Sequence, residues 1–336
     1  MTSATWLSAS GIDLEKKAFL IAFVLVVASS AAAQPLARSY PERPIRLIVP
    51  FTAGGGADLV ARTVAQAMSE DMGQPLVIDN RVGADGNIGV EMGAHAAPDG
   101  YTVLIGYVGN LAIGPALRRK LPFDPVRDFA AITLLAAAPN ILVVHPAVPA
   151  NTLQDFVAYV KAEPGKVSYS SAVVGSPGHL AGEMLNHAAG IRMVHIPYKG
   201  AAQAIVDVMG GHVQAMFGVS TVIPHIRSGR LKALATTGLH RSTLLPKVPT
   251  IAESGFPGFE AAAWYGLLAP ARTPREVIMR LHDAAARALK TPEVKDKLEA
   301  AGFDIVESTP EAFAAYIKSE IKKWREIVVA SGIKAD

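Results

Sequence analysis

Three consecutive glycines, Gly54-Gly55-Gly56, stand between two patterned stretches. Ile45, Leu47, Ile48 and Val49 before them read as a buried strand; Leu59, Val60, Val64, Ala67 and Met68 after them recur at helical spacing. Pro50 ends the strand, since proline brings no ladder donor, and Gly73 stops the helix. A helix start leaves its first backbone N–H groups unpaired and carries the positive end of the helix dipole. Glycine has no Cβ, so an anion can come close to that backbone. Residues 51–58 therefore read as half of an anion pocket. The competing reading is a tight strand-to-helix turn that needs glycine for its dihedrals alone. Asp58 also has two readings: an acid that selects the ligand, or a charge that stabilises the positive end of its own helix.

Other chemistries fail on spacing. Gly54-Gly55-Gly56-Ala57-Asp58-Leu59 lacks the last glycine of a dinucleotide fingerprint, and no Gly-Lys-Ser/Thr follows a glycine loop. Ser176 has Val174, not glycine, two residues before it, so it is no nucleophile elbow. A triad of Ser176, His179 and Asp207 can be drawn, but serines in glycine loops more often cap helices or bind ligands. The nine histidines are scattered, without metal-ligand spacing. His195, inside an apparent strand, reads as a core or ligand-lining residue. The expectation is a binding protein with no metal, no cofactor and no catalytic residue.

The chain has 336 residues, 50% hydrophobic and 18% charged, enough for about two domains and a large core. With no cysteine there is no disulfide framework, thiolate site or lipid-modified cysteine. The net charge of +3 and the lack of a basic patch with interleaved aromatics argue against nucleic acid. Lys16 and Lys17, the apolar run 18–27 and Ala31-Ala32-Ala33 follow the order of a cleavable signal peptide, residues 1–33. An uncleaved anchor is the alternative, but a membrane span needs about 20 apolar residues. The mature chain is expected in the periplasm.

Strand and helix patterns alternate along the mature chain, implying a mostly parallel sheet covered by helices. Residues 83–89 form another glycine-rich bend, and residues 106–114 read as a loop holding Tyr107 and Asn110. Thr152 with Asp155 makes a capping box, and Thr273-Pro274-Arg275-Glu276 reads as another helix start. Residues 171–178 are a second loop of small polar residues between a strand and a helix. Phe313, Ile317, Ile321, Trp324 and Val328 line one face of a last helix, which reads as a core-packing stripe. Ligands of open α/β sheets bind at the carboxyl ends of strands. Two such loops facing each other across a hinge make a cleft.

A set of motifs then resembles a known family. Tyr40-Pro41-Glu42-Arg43-Pro44-Ile45, Val49-Pro50-Phe51 with Gly54-Gly55 and Asp58, and Pro98-Asp99-Gly100-Tyr101-Thr102 open the match. Gly175-Ser176 with His179-Leu180-Ala181-Gly182-Glu183, and Pro197-Tyr198-Lys199-Gly200, continue it. Pro249-Thr250, Glu253, Gly255, Pro257-Gly258-Phe259, Trp264 and Gly266 complete it. The chain is similar over about residues 40–331 to the Bug-type periplasmic solute-binding receptors, the substrate-binding proteins of tripartite tricarboxylate transporters.

The resemblance implies an α/β fold of periplasmic binding protein type II, two Rossmann-like domains with a hinge and an interdomain cleft. Domain 1 would be residues 40–140 plus 264–336, and domain 2 residues 141–263. It implies a ligand carboxylate held by two β–α loops, one per domain. These carry Phe51, Thr52, Ala53, Gly54, Gly55, Gly56 and Asp58, and Ser170, Ser171, Gly175, Ser176 and His179. Tyr107, Asn110 and Tyr198 would line the cavity, with Gly218 and Ser220 near it. Many relatives carry an aspartate where this chain has Gly218, which weakens the case for an amino-acid ligand and favours an aromatic or dicarboxylic acid. The implied partners are a small carboxylate solute and the membrane permease subunits of a tripartite tricarboxylate-type transporter, with the receptor a monomer. Charge-assisted hydrogen bonds contribute about 1.5–3 kcal/mol each, so four or five, less ordering costs, reach the roughly 8 kcal/mol of a micromolar complex. Arginine in the pocket is not required. Two further readings share these residues: a secreted serine hydrolase using Ser176 and His179, and a ligand-sensing partner of a membrane signalling protein.

Overall fold

The computed structural model describes residues 40–117, 120–171, 174–198 and 200–332. The expected signal peptide, residues 1–33, lies outside them. In chain order the elements begin β1 (Ile45–Val49), α1 (Gly56–Met72), β2 (Leu76–Asn80), α2 (Asn87–Ala94) and β3 (Thr102–Tyr107). A π-helical turn (Gly109–Ile113) runs into α3 (Gly114–Leu117), followed by β4 (Phe129–Pro139), β5 (Ile141–Val144), α4 (Leu153–Ala162) and β6 (Ser168–Ser171). Then come α5 (Pro177–Ala189), β7 (Val194–Pro197), α6 (Ala201–Met209), β8 (Ala215–Gly218), α7 (Ile223–Arg227) and β9 (Lys232–Thr236). The chain closes with β10 (Ala262–Pro270), α8 (Arg275–Lys290), α9 (Pro292–Ala300), β11 (Asp304–Ile305) and α10 (Pro310–Ser331).

These strands form two sheets, in the orders β11-β4-β10-β3-β1-β2 and β7-β6-β8-β5-β9. The expectation of mostly parallel sheets is corrected. β1 runs parallel to β2 and β3, and β6 parallel to β7 and β8. β10 is antiparallel to β3 and β4, β11 to β4, and β5 to β8 and β9. The reason is the route between the sheets. The chain leaves the first sheet on β4, crosses through Asn140 alone, and returns on β10 lying beside β4 in the opposite direction. Side chains lace the crossing. Asn140 Nδ2 and Thr237 Oγ1 both donate to the Ala261 carbonyl, at 2.9 and 2.8 Å, and the Asn140 N–H donates to Thr237 Oγ1 at 2.8 Å. All three residues are buried.

Local chemistry sets the helix ends. Thr152 and Asp155 form the reciprocal capping box read from the sequence. The start at residues 273–276 differs: α8 begins at Arg275 with no side-chain cap, because the Thr273 hydroxyl turns back to the Pro270 carbonyl at 2.8 Å. Residues 106–114 are not a loop either; β3 continues through Tyr107 and a helical turn follows, which buries Asn110. On α10, Phe313, Ile317, Trp324 and Val328 are buried and Ile321 half-buried, so the apolar stripe packs inward. α10 lies against β4 of the first sheet and against α5 beside the second. The described residues from 41 to 332 belong to one compact unit.

Candidate functional site

The first glycine loop is held from within. Asp58, only 3% exposed, accepts from the Gly54 N–H at 2.9 Å, Arg62 Nε at 2.8 Å and Asn80 Nδ2 at 2.9 Å. Asn80 Nδ2 also reaches the Phe51 carbonyl at 2.9 Å. Burial alone would raise the Asp58 pKa, but the bonds from Arg62, Gly54 and Asn80 outweigh it and hold it down at about 2. Asp58 thus spends its oxygens on the loop, whichever second role it has. Gly54 takes φ +84, a left-handed conformation suited to glycine. Gly55 is the cap residue of α1, with no side-chain cap bond. The N–H groups of Gly55, Gly56, Ala57 and Asp58 have no acceptor among the described residues. That is the unpaired first turn expected of a helix start.

The second loop is organised by a histidine. Ser176 caps α5, its Oγ accepting the His179 N–H at 3.3 Å, and Pro177 follows in the first helical turn. The His179 ring accepts the Gly175 N–H at Nδ1, 3.0 Å, and stacks on His195 with centroids 3.7 Å apart. His195 Nε2 pairs with Ser171 Oγ at 2.7 Å. Below them Tyr169 donates to the His179 carbonyl at 3.0 Å and to Glu183 at 2.6 Å. The triad of Ser176, His179 and Asp207 is not assembled. Ser176 Oγ meets a backbone amide, the His179 nitrogen facing the loop is occupied by Gly175, and Asp207 binds the Tyr198 hydroxyl at 2.5 Å.

Burial lowers the pKa of His179 to about 4; burial, then the charge of His179, lowers that of His195 to about 3. Both rings are neutral at pH 7. Below pH 6.5 the unfolded chain binds protons that these folded rings refuse, so stability falls as pH drops from about 6.5 towards about 4. His179→Asn places an oxygen near the Nδ1 position and cannot titrate. Its thermal midpoint should fall less steeply than wild type between about pH 7 and pH 4. An equal slope would remove His179 as a source.

Both loops reach one cavity of about 380 Å³. Phe51, Asp85, Asn87, Tyr107, Asn110, Ile113 and Leu117 line it from the first sheet's side, and Val174, Gly175, Ser176 and Pro177 from the second. Asn110 Nδ2 is anchored to the Asp85 carbonyl at 2.8 Å and to Asn87 Oδ1 at 3.0 Å. An aromatic row runs along the first side: Phe51 to Tyr107 at 5.4 Å, Tyr107 to Tyr265 at 5.2 Å, Tyr265 to Phe303 at 5.6 Å between centroids. Among the described residues, no cluster of histidine and acid residues could hold a metal ion.

Of the residues read from the sequence, Phe51, Tyr107, Asn110, Gly175 and Ser176 line this cavity. Thr52, Ala53, Gly54, Gly55, Gly56 and Asp58 stand on the same loop behind Phe51 without lining it. Ser170, Ser171 and His179 are buried beneath the second loop, and Tyr198 is turned to Asp207. Gly218 ends β8; a Cβ there would meet Val222 Cγ1 at 2.5 Å, so a valine methyl fills the space beside it. Ser220 packs on the Gly302 turn, with a Cβ on Gly302 only 2.5 Å from its own. Asp85, Asn87, Ile113, Leu117 and Pro177 were not singled out. The bend at residues 83–89 was visible, but its approach to Asn110 is a tertiary contact. A larger groove, about 870 Å³, lies along β11 and residues 238–243 and shares no residue with either loop. Two of its cations are paired, Arg241 with Glu253 and Lys290 with Glu307.

Comparison with known proteins gives a consistent result. A family model described as the tripartite tricarboxylate transporter family receptor matches residues 60–333. The chain is 37% identical over 313 residues to Protein BugT of Bordetella pertussis, covering 93% of this chain and 96% of that one. A solved R. palustris protein with adipate aligns with TM-score 0.75 and 34% identity, covering 88% of this chain and 99% of that one. MatC from Rhodopseudomonas palustris, with bound malate, aligns with TM-score 0.71 and 32% identity, covering 86% and 100%.

Proposed function

The chain belongs to the tripartite tricarboxylate transporter receptor family, and from that premise we propose that it captures a small carboxylate between its two sheets and delivers it to a membrane permease. The family comprises periplasmic solute-binding receptors of the Bug type, not enzymes, with the two-domain, type II-like binding-protein fold. The observation that carries the carboxylate reading is the pair of loops at one cavity. Each precedes a helix start, and the amides of Gly55 to Asp58, next to the lining residue Phe51 but outside the lining itself, and of Ser176 and Gly178 have no acceptor among the described residues. Adipate and malate in the two solved neighbours have the charge this arrangement favours. On this reading the domains are residues 40–140 with 264–336, and 141–263, closing about the crossing at Asn140. Residues 1–33 direct the chain to the periplasm and are removed. No helix among the described residues is long and apolar enough to cross a membrane.

Native mass spectrometry of freshly purified protein, followed by calorimetry with adipate, malate and benzoate, tests this. A co-purified or titrated acid should bind one to one. Ser176→Ala should lose about 1 kcal/mol of stability, the usual value of a helix cap. It should also bind the acid about tenfold more weakly, as expected for one perturbed charge-assisted bond. Affinity equal to wild type would place the ligand away from the second loop.

A further inference from the structure

We propose that Tyr265 contacts the ligand directly, its hydroxyl donating to the carboxylate held at the start of α1. This deepens the receptor reading above and rests on it. Tyr265 lies on β10, with its ring between Tyr107 and Phe303 and only 9% of the residue exposed. A buried phenol normally finds a hydrogen-bond partner. The Tyr265 hydroxyl has no protein partner among the described residues, and its oxygen is not one of the fully buried unpaired atoms, so it keeps accessible surface at which a ligand can meet it.

The hydroxyl stands beside the glycine loop. A Cβ built on Gly56 would lie 2.9 Å from it and 3.2 Å from Phe303 Cζ, so only glycine fits there without displacement. Gly56 opens α1, whose first amides are also unpaired. The two features come from segments about two hundred residues apart and point to the same need. Donors are gathered at one place with no acceptor supplied. Asp58, the nearby acid, is already bonded to Gly54, Arg62 and Asn80. Burial holds the Tyr265 phenol protonated, above its ordinary pKa, so it serves as a neutral donor throughout the physiological range. An anion with oxygens directed at both Gly56 and Tyr265 completes the set. Tyr265 stacks on Tyr107, which itself lines the cavity, so the hydroxyl belongs to the aromatic row on that side of the site.

Tyr265→Phe removes one oxygen atom and nothing the chain itself uses. Calorimetry should be run on wild type and variant with adipate, malate and benzoate, with thermal melts in the absence of any acid. The expected result is an unchanged ligand-free midpoint with binding weaker by about 10- to 100-fold, the range for a lost hydrogen bond to a charged group. Equal affinity overturns the proposal while leaving the receptor reading standing. A lowered ligand-free midpoint would show that the hydroxyl serves the fold, and would also overturn it. If none of the three acids binds wild type, the carboxylate reading fails and this inference with it.

Discussion

Gly55→Val is expected to weaken carboxylate binding by about a hundredfold or more, some 3 kcal/mol, with the thermal midpoint unchanged. Stability should be spared because Gly55 has φ −82 and ψ 172, an extended conformation open to any L-residue. A Cβ there meets only the Thr52 carbonyl at 3.6 Å, an ordinary contact. Valine also restricts the unfolded chain, which favours folding slightly. Binding should suffer because branched methyls would cover the amides that open α1. A ligand kept off that backbone loses two charge-assisted bonds and the helix dipole together. Titration calorimetry with the acid that wild type binds, and circular dichroism of both proteins, read this out. Unchanged affinity in a folded Gly55→Val variant would mean that the unpaired amides are not where the anion sits.

Glu320→Ala should lose about 3–5 kcal/mol of stability, a large part of the usual 5–15 kcal/mol for a domain. Glu320 is 3% exposed on α10 and its Oε2 accepts from both indoles, Trp264 Nε1 at 2.9 Å and Trp324 Nε1 at 3.0 Å. Lys323 pairs with its other oxygen. Alanine would strand two buried N–H donors and leave Lys323 facing Glu260 at 3.8 Å. Glu320→Gln retains an acceptor and should cost much less, which separates the polar effect from lost packing. Urea unfolding of the two variants decides the matter. Equal losses for alanine and glutamine would assign the role to charge alone. The consequence reaches the cleft, because Trp264 is the neighbour of Tyr265 on β10 and its indole fastens that strand to the last helix.

The sequence was legible where causes are local. The strand before Gly54, the cap at Thr152 and Asp155, and the stop at Gly190 follow from patterns within a few residues, and the structure has all three. Sheet direction was not legible, because it depends on where β10 returns. That is set by bonds joining Asn140 to Thr237 and Ala261, 97 and 121 residues away. At the site, turn chemistry exposed both loops, whereas side-chain direction was hidden. Tyr198 stood beside a plausible loop, but Asp207 on the next helix takes its hydroxyl. Tyr265 gave no signal at all. Every residue of β10 is buried, so no alternation distinguishes a wall residue from a core residue.

The crossing at Asn140 has a mechanical consequence. Its two passages of chain are not slack tethers: dry side-chain bonds tie them into a ribbon one residue long on one side. Displacing either passage therefore means breaking buried bonds to the other, so strain applied to one is carried by both.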